Sequence, residues 1–293
     1  MKQRKFLITG ATGKTGVYTT RHLLDAGHAV RAFVHREDER SEALRNDGAE
    51  VVVGDLLEHD DVIRAMDGVN GAYLCFPVLP GYIQATAYFA DAARRAGVEV
   101  VVEMSQISAR DDSKSHAARD HWIAERVLDG SGVPAVHIRP TFFSEWLTFP
   151  WVRDSIVDEG KITLPYGAGR HAPIAAVDQA RLIATVLAQP NDHIGKTYPL
   201  FGPVEMNQHE IADEIGKVLD RKIVYQPSTI EAYRTQLEKY DLPEFLIQHF
   251  LAISIDYQNG IFSGVDGVIG AITGRAPQTV GEFVKTNLQA FAR

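Results

Sequence analysis

Hydrophobic positions along the first half of the chain fall into short, mostly apolar runs, separated by longer stretches whose apolar residues recur at helical spacing. Phe6, Leu7 and Ile8 form the first run, and its lack of charge suits a strand covered on both faces of a parallel sheet. From Val17 to Ala26, the residues Val17, Leu23, Leu24 and Ala26 share one side of a helical wheel, so an amphipathic helix follows. Further strands are predicted over 29–34, 51–55, 72–76, 98–105 and 135–139, with helices over 39–46, 60–66, 82–96 and about 117–128. A polar loop, Ser108 to Ser115, precedes the last of these helices. Strands joined by helices of this length require right-handed crossovers and a sheet covered on both faces. The expected fold class is therefore α/β, a doubly wound parallel sheet that takes its ligands at the carboxyl ends of its strands.

Beyond Pro140 the texture changes. Phe142, Phe143, Trp146, Leu147, Phe149 and Trp151 crowd one segment, followed by a strand over 160–164 and a long loop over 165–173. A helix is expected at 177–188, a strand at 197–200, an amphipathic stretch at 208–219 and a short strand at 223–225. Helices over 230–239, 245–257 and 280–291 complete the chain. With no internal repeat or low-complexity linker, the expected division is a sheet domain over 1–150 and a smaller, mostly helical α/β lobe over 151–293. The boundary is diffuse and the chain is free to return to the sheet.

The turn after the first strand carries the chemistry. Gly10, Gly13 and Gly16 join a buried strand to a helix N-terminus, where unpaired N–H groups and the helix dipole attract an anion. Gly13-Lys14-Thr15 also resembles the end of a P-loop, but that motif needs glycine at position 8, where Ile8 stands. What remains is a spacing variant of the dinucleotide fingerprint, including Thr12, Lys14 and Thr15; a turn that binds nothing has the same composition. The strand-end rule then selects Arg36, Asp55, Leu56, Phe76, Pro77, Val78, Gln106 and Pro140 as further cofactor contacts on the same rim. Arg36 lies about 20 residues past the third glycine, where a guanidinium suits the 2′-phosphate of NADP, and Lys14 adds charge. Glu37 and Asp38 keep NAD open as the less favoured cofactor. Asp55 suits the adenine amino group, although aspartate after glycine is also ordinary turn chemistry.

Composition narrows the partners. With 293 residues and 45% hydrophobic content the chain can bury a sizeable core, and a net charge of −8 argues against nucleic acid or an anionic membrane as its main partner. The single cysteine, Cys75, excludes an internal disulfide and reads as a buried strand thiol. No apolar run is long enough for a signal peptide or a membrane span, so a cytoplasmic protein is expected. No metal site is expected. A homodimer stands among the expectations for assembly.

Taken together, Thr9-Gly-Ala-Thr-Gly-Lys-Thr-Gly16, Arg36, Gly54-Asp55-Leu56, His121-Trp-Ile-Ala-Glu125, Gly132-Val-Pro, Ile138-Arg-Pro-Thr-Phe-Phe143 and Val177-Asp178-Gln-Ala resemble the NmrA-like branch of the short-chain dehydrogenase/reductase superfamily. That resemblance implies a Rossmann domain and either an NADPH-dependent reductase of quinones, azo dyes or triphenylmethane dyes, or a redox-sensing regulator with little turnover. None of the ten tyrosines is followed four residues later by lysine, so the superfamily's Tyr-x-x-x-Lys acid is missing. If Glu125 aligns with the acidic residue after that motif, His121 stands at the lysine position and Ala117 at the tyrosine position. Hydride transfer to a conjugated acceptor depends less on a positioned acid. His121 and Ser105 are the candidate catalytic groups, each with a packing or capping alternative. Phe142, Phe143 and Trp146 are the candidate walls for a flat aromatic or quinone-like substrate.

Overall fold

A computed structural model of the chain describes residues 3–292. The strands β1 (Lys5–Ile8), β2 (Ala29–Val34), β3 (Glu50–Val53), β4 (Gly71–Leu74), β5 (Val100–Met104) and β6 (Ala135–Pro140) alternate with α1 (Lys14–Asp25), α2 (Glu39–Asn46), α3 (His59–Met66), α4 (Tyr82–Ala96) and α5 (His116–Ser131). A 3₁₀ turn at Ser144–Thr148 then leads to α6 (Pro150–Glu159), β7 (Lys161–Leu164), β8 (Arg170–His171), α7 (Ala176–Ala188) and β9 (Thr197–Leu200). The remainder forms β10 (Met206–Asn207), α8 (Gln208–Leu219), β11 (Val224–Pro227), α9 (Ile230–Glu238), α10 (Glu244–Gln258), α11 (Val268–Thr273) and α12 (Val280–Thr286). Among the described residues no helix is long and apolar enough to cross a membrane.

Seven strands pair in parallel in the order β3-β2-β1-β4-β5-β6-β9. The first apolar run shows why this sheet is covered on both faces. Phe6 and Ile8 point into a cluster with Leu182, Ile183 and Val186 of α7, whereas Leu7 points to the other face, with Val62 of α3, Phe89 of α4 and Leu128 of α5. All three are at most 1% exposed, so each residue of the strand fills one core or the other. The C-terminal half thus contributes α7 and β9 to the sheet. Its other elements wrap a third core around Ile156, Ile162, Ile215, Tyr233 and Phe250.

Several boundaries differ from the sequence expectation. The first helix starts at Lys14 rather than at Val17, because Lys14, Thr15 and Gly16 already form its first turn. Cys75 lies just past the end of β4 and is only half buried, so it is a rim residue rather than a strand thiol. The last predicted helix breaks at Asn287, after which 288–291 form a 3₁₀ turn.

Charged groups buried between α4, α5 and the sheet brace its β5–β6 side. Tyr82 donates to Glu103 at 2.6 Å, and His137 lies between Glu103 (2.5 Å from Nδ1) and Asp129 (3.0 Å from Nε2). Burial alone would depress the His137 imidazole, but the flanking carboxylates outweigh it and push its pKa up to about 9. Raised above the ordinary value of 6.5, this group stabilises the fold fully below pH 6.5, and the contribution is lost as pH rises through about 9. His137→Gln leaves Glu103 buried without its cation and is expected to cost on the order of 3 kcal/mol at pH 6, the gap to wild type narrowing toward pH 9 and above. Denaturant unfolding across that range checks it; a gap that is constant or grows with pH would contradict it.

Candidate functional site

β1 ends at Ile8, and the chain turns through the three glycines into α1. Gly10 adopts the left-handed region (φ +56°) directly against Cys75, whose Cβ would lie 3.3 Å from an added side chain. At Gly16 an added Cβ would sit 2.2 Å from the Gly10 carbonyl oxygen, so only glycine permits this approach of helix and strand end. Gly13 N–H donates to that carbonyl at 2.8 Å, and no side chain caps α1. The leading N–H groups of the helix therefore remain available beside the turn, a cradle that fits the pyrophosphate of a dinucleotide. Lys14 is exposed next to it. Thr15 lends the turn only its backbone, because its hydroxyl is turned inward to the Tyr73 hydroxyl at 3.0 Å.

Along the rim from this turn opens a cavity of about 380 Å³. Gly10 and Thr12 line it, together with Asp55 and Leu56 beyond β3 and Phe76 and Pro77 beyond β4. Asp55 already accepts the Leu57 N–H at 2.9 Å through Oδ1, so the turn role is filled, while its Oδ2 lies 4.0 Å from His35. Cys75 also lines the cavity, with its thiol pKa raised by burial. At the end of β2 the charges are divided. Glu37 pairs with Arg45, and Asp38 caps α2 through the Arg40 N–H (3.0 Å) and pairs with the Arg40 guanidinium (2.6 Å). Arg36 is exposed and makes no hydrogen bond or ion pair among the described residues.

A second cavity, of about 200 Å³, continues the rim past β5 and β6, and Phe76 belongs to both. Val78, Ser105, Gln106 and Pro140 line it from the strand ends, and His121 lines it from α5. Phe143 and Trp146 contribute aromatic surface; Phe142 also touches the cavity but is 3% exposed and mostly packs against Tyr166, Tyr257 and Phe262. The structure thus gathers the predicted residues into two neighbouring groups: Gly10 to Pro77 on the glycine side, and Val78 to Trp146 on the other. Gly13, Lys14, Thr15, Gly16 and Arg36 flank the first cavity without lining it.

The polar groups of the second cavity have defined states. Ser105 Oγ donates to the fully buried Glu125 at 2.5 Å, and Glu125 is held in turn by Arg139 Nε at 2.8 Å. With its one proton committed, Ser105 can only accept a hydrogen bond from a bound molecule. His121 packs its ring 4.4 Å from that of Tyr82, and its buried Nδ1 has no partner among the described residues. Burial pushes the His121 pKa down to about 3, so the imidazole is neutral at physiological pH.

Sequence reasoning missed the wall supplied by the lobe. His249 and Ile253 of α10 and Phe262 beyond it line the second cavity. Residues 249 and 253 share a helical face by spacing, but nothing local in the sequence says that this face meets the sheet rim.

Over its length this chain is similar to proteins that handle nicotinamide cofactors. It is 28% identical to an NAD(P)H azoreductase from Xenophilus azovorans, across 97% of this chain and 98% of that protein. It also superposes on the Citrobacter sp. triphenylmethane reductase complexed with NADP(H) with a TM-score of 0.84 at 25% identity, covering 96% of this chain and 99% of that one. The Escherichia coli NADPH-dependent quinone oxidoreductase complexed with NADPH shares the fold, with a TM-score of 0.85 at 23% identity over 97% of this chain and 99% of the other. Residues 2–284 match the NmrA-like family, and the chain belongs to it.

Proposed function

We propose that the chain is an NADPH-dependent oxidoreductase that passes hydride to a quinone-like or other conjugated acceptor. The observation that carries this reading is the shared wall at Phe76: the cavity beside the glycine turn adjoins one lined by aromatic rings and by His121 and Ser105. The names of the related azo-dye, quinone and triphenylmethane-dye reductases support it. NADPH, when bound, supplies the hydride. The leading N–H groups of α1 would hold the pyrophosphate, and Arg36, free of the acids beside it, would take the 2′-phosphate. The rings of Phe143 and Trp146 orient a flat acceptor and exclude water. Neither Ser105 nor the neutral His121 is poised as a strong acid, which suits an acceptor whose product anion is delocalised. The same property favours a second reading, a redox-sensing regulator that binds NADP(H) with little turnover.

NADPH consumption, followed by its own absorbance with a panel of quinones and azo dyes, tests the first reading. No turnover above background would overturn it, and affinity that differs between the oxidised and reduced cofactor would then support the second. Arg36→Ala is expected to weaken NADPH binding on the order of tenfold or more while changing NADH little; calorimetric titration of both cofactors checks this, and equal losses would remove Arg36 from the 2′-phosphate. Because His121 stays neutral down to about pH 3, His121→Gln should leave the shape of the turnover profile unchanged between about pH 5 and 8. Loss of an inflection in that window would assign proton delivery to His121.

A further inference from the structure

His249 reaches the second cavity from the lobe, and its protonation is fixed by one neighbour. Ser115 caps α5 by accepting the Ala118 N–H at 3.1 Å, and its Oγ lies 2.7 Å from His249 Nδ1. Both side chains are buried, and among the described residues the serine hydroxyl meets no other acceptor, so the tautomer that satisfies its proton is the one in which Ser115 donates to Nδ1 and the imidazole hydrogen sits on Nε2. That Nε2–H finds no partner among the described residues. Two further contacts hold α10 in place: Arg110 pairs with Asp256 through both guanidinium nitrogens (2.9 and 2.6 Å), and Gln248 donates to the Lys114 carbonyl at 2.7 Å. The wall of this cavity contains no Asp, Glu, Lys or Arg. Its titratable groups, His121 and His249, are both kept neutral by burial, with pKa values of about 3 and about 4.

We infer that the His249 Nε2–H is the hydrogen-bond donor that orients the acceptor through a carbonyl oxygen or azo nitrogen, and that the site selects acceptors without net charge. This rests on the reductase reading of the same cavity. An ion entering the cavity loses its hydration and meets no counter-charge, whereas a neutral acceptor atom meets a neutral donor at His249 and an acceptor at Ser105. Nothing local in the sequence marks His249 for this role; it follows from the Ser115 contact and the packing of α10.

Naphthoquinone and naphthoquinone sulfonate differ by one negative charge and test the inference on the intact chain. With tetrahydro-NADPH present, whose nicotinamide ring is neutral and cannot give up hydride, calorimetric titration is expected to show the neutral quinone binding at least about tenfold tighter. His249→Leu should raise its KM about tenfold with little change in kcat, and His249→Gln, which keeps a donor, should recover part of the loss. Equal or tighter binding of the sulfonate near neutral pH would overturn the inference. So would an unchanged KM in a His249→Leu protein with the melting temperature of wild type. If the leucine variant does not fold, the glutamine variant and the charge comparison on wild type still decide. Should wild type bind the neutral quinone selectively but reduce neither compound, the reductase reading falls and the selectivity stands.

Discussion

The contact between Gly16 and the Gly10 carbonyl oxygen, where an added Cβ would come within 2.2 Å, sets how closely α1 follows the end of β1. Because that approach is so tight, the helix N-terminus lies at the sheet rim with its leading N–H groups uncapped. The neighbouring strand ends then supply the rest of one groove: Asp55 after β3, Phe76 after β4, Ser105 after β5 and Pro140 at the end of β6. A bulkier residue at position 16 would separate strand and helix and move the part of the rim that fits a phosphate. Sheet order matters here as well. β1 is central, between β2 and β4, so the cradle opens where the chain reverses its direction of winding.

On the acceptor side the constraint is electrostatic. Glu103, Glu125 and His137 sit in the interior with Arg139 and Asp129 completing their hydrogen bonds. One partner of this network, Ser105, shows at the cavity surface, and it arrives there with its proton already committed. All formal charge is thereby kept behind the wall, and the surface offered to a small molecule is neutral, aromatic and sparsely polar. Such a wall suits hydride delivery to a conjugated system better than proton-coupled reduction of a simple ketone, for which a positioned acid is needed.

Much of this was legible in the chain itself. The uncharged run Phe6-Leu7-Ile8 gave the first strand because burial on both faces favours apolar residues, and glycine spacing located the turn. Features set by tertiary contacts were not. Whether Thr15 presents its hydroxyl to a ligand depends on Tyr73, 58 residues away, and the availability of Arg36 depends on Glu37 and Asp38 being engaged by Arg45 and Arg40. The aromatic segment after Pro140 was visible as composition only. In the fold Phe142 turns into the lobe core while Phe143 and Trp146 stay half buried at the rim, a division that hydrophobicity alone does not encode. His249 was invisible because its role depends on which face of α10 meets α5 and the rim.

The most direct measurement is a crystal structure of the chain grown with NADP⁺. Two cavities sharing Phe76 predict the pyrophosphate at the α1 N-terminus, the 2′-phosphate against Arg36, and the nicotinamide ring at the mouth of the cavity lined by Ser105, His121 and His249. A cofactor whose nicotinamide lies outside that cavity, or whose 2′-phosphate makes no contact with Arg36, would contradict the central claim that one rim carries both the cofactor and its acceptor.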